Sequence, residues 1–319
     1  MSCNPLAFAA IVAAVLVAPL FAAPALVETP VPTPTASTWT AEHKLFIQDV
    51  AWSPDGKRIA FSRYDAYGPY SAKNWAIWVA NRDGSNPRVV LRGAVWCVFS
   101  PDGSRLAAGM LIDGDWEIVT VRTDGTDVKR ITNRKGSDHL PAWSPDGSFL
   151  VYCADVEGSH DLYRIGADGT GWKRLTHDSG KAYNPAFSPD GRRIVFYLET
   201  GDRHDQVWTL DLATGREERV TDGTGHNFFP TFLPDGRIAF SGQPDGGERR
   251  LIVVSKDGAR FEPLGPAGII VARWSPDGKE ILFLGGPDKG EIRRMAADGT
   301  GSAVLLATAT LADSPSPSR

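Results

Sequence analysis

A short turn motif recurs six times along this chain at nearly constant spacing, and it limits the possible folds more than any other feature. The motif is Ser-Pro-Asp-Gly in five copies and Leu-Pro-Asp-Gly in the remaining one. Its aspartates are Asp55, Asp102, Asp146, Asp190, Asp235 and Asp277, so successive copies are 47, 44, 44, 45 and 42 residues apart. A period in the forties indicates stacked units, each too small to bury its own apolar face.

Each unit has the composition of four short strands joined by tight turns. In the third unit, the Pro-Asp-Gly turn supplies a fixed φ, a capping carboxylate and a residue that tolerates positive φ. Runs rich in strand-forming residues surround it, and an Asp-Gly hairpin turn follows at residues 168–169. The other units keep this order. The sequence therefore predicts an all-β fold, a six-bladed β-propeller with four antiparallel strands per blade.

A large ring precedes every Pro-Asp-Gly turn. Because it occupies the same place in each unit, we expect these rings to pack between neighbouring blades rather than to bind a ligand. The six residues are Trp52, Phe99, Trp143, Phe187, Phe232 and Trp274.

The N-terminal residues predict export. Residues 6–23 are almost wholly apolar, and Ala23-Pro24-Ala25 fits a signal-peptidase site, which predicts a signal peptide over residues 1–25. An uncleaved membrane anchor is the alternative, because about 18 apolar residues approach a membrane span. A Pro-rich linker (26–38), the propeller (39–308) and a disordered tail (309–319) are expected to follow. The expected location is periplasmic or secreted, with no membrane span after processing.

The distribution of charge limits the kinds of partner, and the positions of the cysteines limit disulfide formation. The net charge is −4, and the basic pairs are distributed over different units, so nucleic acid is not expected as a partner. Cys97 and Cys153 lie in strands of different units, and we expect two buried free thiols rather than a disulfide. A closed ring of six units is also expected to be a monomer.

The repeat resembles a known family. Pro-Ala-Trp-Ser-Pro-Asp-Gly, Ile-Ala-Phe, Asp-Gly-Thr and Lys-Arg-Leu-Thr, found in successive parts of the units, are similar to the WD40-like PD40 repeat of the TolB propellers. The resemblance covers all six units and implies a periplasmic, protein-binding propeller of the Tol–Pal type. It does not extend to the α/β domain that precedes the propeller in TolB, so the resemblance does not imply coupling to the Tol inner-membrane machinery. Peptidase propellers carry the same repeat, but this sequence has no Gly-x-Ser-x-Gly motif.

The residues before each first strand should converge around the central channel. Aromatic and amide side chains prevail among them, which is typical of a protein-binding surface. We therefore expect a non-enzymatic propeller that binds a protein or peptide of the envelope or extracellular space, without catalytic residues, metal or cofactor. The alternative is a carbohydrate-active or metal-dependent lyase or hydrolase that uses the acids and histidines of this set. The candidates are Gln48, Asp49, Trp96, Asp138, His139, Tyr183, Asn184, His226, Asn227, Phe228 and Phe229.

Overall fold

The chain folds into six four-stranded antiparallel sheets, each formed by one sequence repeat. The computed structural model describes residues 46–64, 72–177, 180–199, 204–244, 247–285 and 290–307. Within them, 24 strands pair in sequence order in every sheet, and the one helical element is a 3-10 turn at Ala72–Asn74. The predicted six-bladed propeller with four strands per blade is confirmed. The predicted signal peptide, linker and tail lie outside the described residues.

The first strand of each blade lies at the central channel and the fourth lies at the outer edge. Blade 1 comprises β1 (Phe46–Trp52), β2 (Arg58–Tyr64), β3 (Trp75–Asn81) and β4 (Arg88–Arg92). Blade 2 comprises β5 (Ala94–Phe99), β6 (Arg105–Ile112), β7 (Asp115–Arg122) and β8 (Lys129–Arg130). Blade 3 comprises β9 (Ser137–Trp143), β10 (Phe149–Val156), β11 (Ser159–Gly166) and β12 (Lys173–Arg174). Blade 4 comprises β13 (Lys181–Phe187), β14 (Arg193–Glu199), β15 (Gln206–Asp211) and β16 (Glu217–Arg219). Blade 5 comprises β17 (His226–Phe232), β18 (Ile238–Gln243), β19 (Arg250–Val254) and β20 (Phe261–Leu264). Blade 6 comprises β21 (Val271–Trp274), β22 (Glu280–Leu284), β23 (Glu291–Ala296) and β24 (Ala303–Ala307).

The Pro-Asp-Gly turn explains why the motif repeats. In blade 1, Ser53 Oγ donates to Asp55 Oδ1 at 2.6 Å and accepts the N–H of Arg58 at 2.9 Å. The turn glycine, Gly56, has a φ of 65°, which a residue with a Cβ adopts only with strain. A Cβ at Gly56 would lie 3.7 Å from Cδ of Pro276, in the sixth blade. The glycine of one turn thus lies against the proline of the preceding blade, and the motif serves both the turn and the contact between blades.

The ring closes by packing between the first and sixth blades. Trp52 Nε1 donates to the carbonyl oxygen of Arg273 at 3.1 Å, and Arg82 forms an ion pair with Glu280 at 2.6 Å. One apolar cluster combines Phe61 of β2 with side chains of β22 and β23. Within the described residues, the strands of blades 1 and 6 form separate sheets, and contacts that involve side chains join the two blades.

The Lys-Arg-x-Thr pattern of the fourth strand supplies side chains that bind a buried carboxylate of the third strand. In blade 2, Thr132 Oγ1 accepts the N–H of Ile118 at 2.9 Å and donates to the buried carboxylate of Glu117 at 2.5 Å. Arg130 pairs with the other oxygen of Glu117 at 2.6 Å. The short outer strand is thereby attached to the third strand even where it spans only two residues. Asp161, Arg174 and Thr176 repeat the arrangement in blade 3.

Both described thiols are free and buried, as predicted for Cys97 and Cys153. Burial raises the pKa of each thiol well above its usual value. Within the part of the chain that the structure describes, no helix is long and apolar enough to cross a membrane.

Candidate functional site

A channel with a volume of about 640 Å³ is enclosed by the first strands of all six blades and by the Pro-Asp-Gly turns of blades 2 to 6. Its wall is layered, because each blade presents equivalent residues at the same height. The ring residues Trp52, Phe99, Trp143, Phe187, Phe232 and Trp274 form one layer. We predicted that these rings pack between blades; they do so, as Phe187 does against Phe149 at 5.6 Å, but all six also line the channel.

The layer three residues before the ring residue has an unusual backbone. In blades 2 to 5 the residue here is not glycine, yet its φ lies between 52° and 60°. The ladder between the first two strands shifts register at the same place in these four blades, as expected for a β-bulge that redirects a side chain. Each such residue costs about 1–2 kcal/mol, and such strain is concentrated at functional sites. The four residues are Trp96, Leu140, Asn184 and Phe229.

Asp49 closes the same layer between blades 1 and 2. In blades 3 to 5 the residue after the bulge is proline, which has no N–H, whereas blade 2 has Cys97 there. Asp49 Oδ2 accepts the N–H of Cys97 at 2.7 Å, and Oδ1 accepts the N–H of Ser62 at 2.8 Å. Burial raises the pKa of Asp49 to about 6, although these hydrogen bonds and the charge of Arg273 act in the opposite direction. One carboxylate oxygen thus binds the backbone of blade 2, and the other binds the second strand of blade 1.

The channel wall includes one basic residue among those that the structure describes, Arg273. It and Asp49 are the two charged residues among the described residues that line the channel. Arg273 Nη1 donates to the carbonyl oxygen of Ala272 at 2.9 Å. Burial lowers the pKa of Arg273, and Asp49 partly offsets that effect. Arg273 was not predicted, because it lies directly before the ring residue Trp274 and not among the residues expected before each first strand.

The structure separates the eleven predicted channel-mouth residues into two sets. Five of them line the channel: Gln48, Asp49, Trp96, Asn184 and Phe229. Asp138, His139 and Tyr183 are buried within the ring of blades, and Asn227 borders a lateral pocket of about 460 Å³ on blade 5. His226 and Phe228 are partly buried and stacked at 5.8 Å, and His226 Nδ1 lies 2.8 Å from Asp205 Oδ2.

The aromatic members of the predicted set form one continuous chain of ring contacts through blades 2 to 5. Successive ring centroids are 4.9 to 6.2 Å apart along Trp116, Trp96, His139, Tyr183, Tyr197, Phe228 and His226. Trp116 and Tyr197 were not predicted, because they lie on second and third strands, away from the residues before each first strand. Tyr197 also lines the channel.

Burial controls the ionisation of the two residues that best fitted a metal site. It lowers the pKa of His139 to about 3 and raises the pKa of Asp138 to about 7. His139 therefore lies neutral between the rings of Trp96 and Tyr183 at physiological pH. The described segments contain no group of three or more His, Cys, Asp or Glu side chains that could hold a metal ion.

Fold and channel together define a six-bladed propeller with an aromatic and polar central channel. The family model described as the TolB beta propeller domain, PD40, matches residues 38–184 and 175–319. The chain belongs to this family, as its repeat predicted.

Sequence similarity to individual named proteins covers shorter segments of the chain. The chain is 30% identical over 93 residues to the Tol-Pal system protein TolB of Anaeromyxobacter dehalogenans, which is 29% of this chain and 20% of that protein. It is 32% identical over 88 residues to the uncharacterized peptidase YuxL of Bacillus subtilis, which is 27% of this chain and 13% of that protein. TolB from Acinetobacter baumannii superimposes with a TM-score of 0.63 at 21% identity, over 81% of this chain and 62% of that one. The chain thus spans well under two thirds of both sequence relatives.

Proposed function

We propose that this protein is an exported, non-enzymatic propeller whose central channel binds a segment of a protein partner in the cell envelope or extracellular space. The composition of the channel wall carries the proposal. Aromatic rings alternate there with amide and hydroxyl side chains, including Phe229, Asn184, Gln48 and Thr231. Rings give contact area at small entropic cost, and amides pair with a peptide backbone.

The backbone of the channel wall supports a binding site that is formed before a partner arrives. Strained backbone at four equivalent positions keeps the side chains of one layer at the wall, so the site is rigid before a partner arrives. A pre-organised site loses less entropy on binding. The propeller would span residues 39–308, after a signal peptide at 1–25 and a linker at 26–38, and act as a monomer without cofactor in the periplasm or outside the cell.

Membership of the TolB propeller family supports the same function, because the TolB relative is by name a component of the Tol-Pal system. The peptidase-named relative leaves an enzyme as the alternative. Its similarity covers only 13% of that protein. If the channel were an active site, the protein would turn over a substrate or contain a stoichiometric metal ion, and substitutions in the channel would remove that activity or metal.

A photo-crosslinking experiment tests the proposal. A benzophenone amino acid replaces Gln48, which is partly buried at the channel wall, in cells that export the protein. We expect a covalent adduct with one envelope or extracellular protein, identified by mass spectrometry. Thr231→Trp, which narrows the channel from blade 5, should remove the adduct while the melting temperature shows an intact fold.

Lys256 provides the matched control position, because it is exposed in the outer turn of blade 5. The benzophenone at Lys256 should not capture the same protein. The same adduct from both positions, or an adduct at Gln48 that survives Thr231→Trp, would contradict channel binding. Intact-mass measurement of the exported protein tests the other half of the proposal, since the mature chain should begin at Leu26.

A further inference from the structure

One layer of the channel wall breaks the sixfold repeat. The residue directly before each ring residue is small or of medium size and uncharged in five blades, and it is arginine in the sixth. The six residues are Ala51, Val98, Ala142, Ala186, Thr231 and Arg273, and all of them line the channel. Five short side chains leave space at this height, and Arg273 is the one long, charged side chain among the six.

The positive charge of Arg273 has the carboxylate of Asp49 as a counter-charge at longer range, but not as a partner in a contact ion pair. The two oxygens of Asp49 are oriented by the N–H groups of Ser62 and Cys97, which they accept. Among the described residues no carboxylate lies within 4.0 Å of the Arg273 guanidinium. The hydrogen bond from Nη1 to the carbonyl oxygen of Ala272 uses one of the five N–H donors of the guanidinium and does not neutralise its charge.

A guanidinium in this setting is a binding group for an anion. Water is partly excluded from the channel wall around Arg273, which is itself partly buried. Charge–charge attraction is stronger there than in bulk water, and arginine matches the two oxygens of a carboxylate geometrically. Ring residues such as Trp274 and Phe232 border the same space and suit a peptide better than a free, fully hydrated ion.

We propose that Arg273 binds a carboxylate of the segment that enters the channel, so that the preferred ligand is an acidic peptide. This inference rests on the proposed function and adds the chemical class of the ligand. The carboxylate belongs either to an Asp or Glu side chain or to the carboxyl terminus of the segment. Both sources offer the same two oxygens to the guanidinium, and the experiment distinguishes them.

Selection of random peptides displayed on mRNA tests the side-chain source, because such peptides have no free carboxyl terminus. Selection on the wild-type protein should enrich Asp or Glu at one position relative to an aromatic or apolar residue. Selection on Arg273→Gln should show no such enrichment. Winning peptides should bind Arg273→Gln about tenfold or more weakly, and should lose this difference when their acid is replaced by the amide.

A second arm tests the terminal source. Synthetic copies of the selected peptides, made with free and with amidated carboxyl termini, are titrated by calorimetry against wild type, Arg273→Gln and Arg273→Lys. A preference for the free terminus that Arg273→Gln removes and Arg273→Lys partly retains assigns the terminal carboxylate. Arg260→Gln is the control, because Arg260 is 72% exposed in an outer turn. It should leave every affinity unchanged.

The outcomes separate this inference from the proposed function. Peptides that lose affinity on Thr231→Trp but prefer neither kind of carboxylate would overturn the role of Arg273 and leave channel binding intact. Failure to select any peptide whose binding depends on Thr231 would overturn both. Because Trp52 bonds to the backbone oxygen of Arg273, the side-chain substitutions should fold, and the melting temperature verifies this.

Discussion

Asp138 should make the propeller less stable as the pH rises, and Asp138→Asn should remove this effect. The side chain is 1% exposed in β9, and its Oδ2 has no hydrogen-bond partner in the described structure. Burial is the main cause that raises the pKa of Asp138 from 3.8 to about 7, and the nearby carboxylate of Glu117 adds to it. Since a folded-state pKa above the unfolded value favours the protonated carboxyl, its stabilising effect is complete below about pH 4 and is lost through about pH 7.

The magnitude follows from the two pKa values. Each tenfold change in proton affinity is worth about 1.4 kcal/mol, so a rise from 3.8 to about 7 corresponds to about 4 kcal/mol of unfolding free energy. Asp138→Asn keeps the shape of the side chain without a charge. We therefore expect the variant and the wild type to be similarly stable near pH 4, and the variant to be the more stable by up to about 4 kcal/mol near pH 8.

Urea denaturation followed by tryptophan fluorescence between about pH 4 and pH 8 measures this difference. Asp49 titrates with the same sign in both proteins, so subtracting the two curves isolates Asp138. Asp146→Asn is the control, because hydrogen bonds in an exposed turn lower the pKa of Asp146 to about 2. Its stabilising contribution is present above about pH 4 and is lost on acidification, so this variant should weaken the fold only at higher pH. Parallel curves for wild type and Asp138→Asn would refute the reasoning.

Three further predictions concern packing. Gly136→Ala should destabilise the fold by more than about 2 kcal/mol, because its Cβ would lie 2.0 Å from the backbone oxygen of Asp155. Gly158→Ala should cost only about 1 kcal/mol, because Gly158 also has a positive φ but its Cβ would have no atom within 4 Å. Equal losses of unfolding free energy in urea would show that backbone strain alone determines the cost. Deletion of one repeat, residues 140–183, should give insoluble protein, since it exposes two apolar blade faces; a soluble product that melts at the wild-type temperature would argue against a closed ring. Cys97 and Cys153 should resist thiol reagents in the native protein and react after unfolding; fast native labelling of either, located by peptide mapping, would contradict their burial.

The blade architecture could be predicted from the sequence because local chemistry determines it. Turn residues at fixed spacing specify where each hairpin bends, and the runs between them are long enough for only one strand. The Ser53–Asp55 hydrogen bond shows that the motif acts within a few residues, where sequence reasoning is reliable. The contact between Trp52 and Arg273 that closes the ring joins residues 221 positions apart in the sequence, and no local sequence pattern predicts it.

The candidate site could be predicted only in part, because facing the channel depends on how a first strand bulges. Asn184 and Phe229 line the channel from left-handed backbone positions, whereas their predecessors Tyr183 and Phe228 do not line it. A period-2 strand pattern cannot tell these neighbours apart once a bulge shifts the register by one residue. Tyr197 lines the channel from the second strand of blade 4, and no pattern in the sequence predicted this position.

Positions that repeat in all blades explain stability, and positions where the blades differ indicate specificity. The Pro-Asp-Gly glycines and the ring residues recur because each blade must pack on the next, so substitutions there should weaken the fold whatever the ligand. Packing does not require the difference between Ala142 and Arg273, since five blades pack well with small residues at this height. Asp49 differs from its counterparts for a structural reason, because it pairs the N–H of Cys97 that a proline would lack. Among the described residues, the Arg273 side chain makes one hydrogen bond, to the carbonyl oxygen of Ala272, and interacts with Asp49 only at longer range. This asymmetry is the reason to seek the ligand's carboxylate beside Arg273.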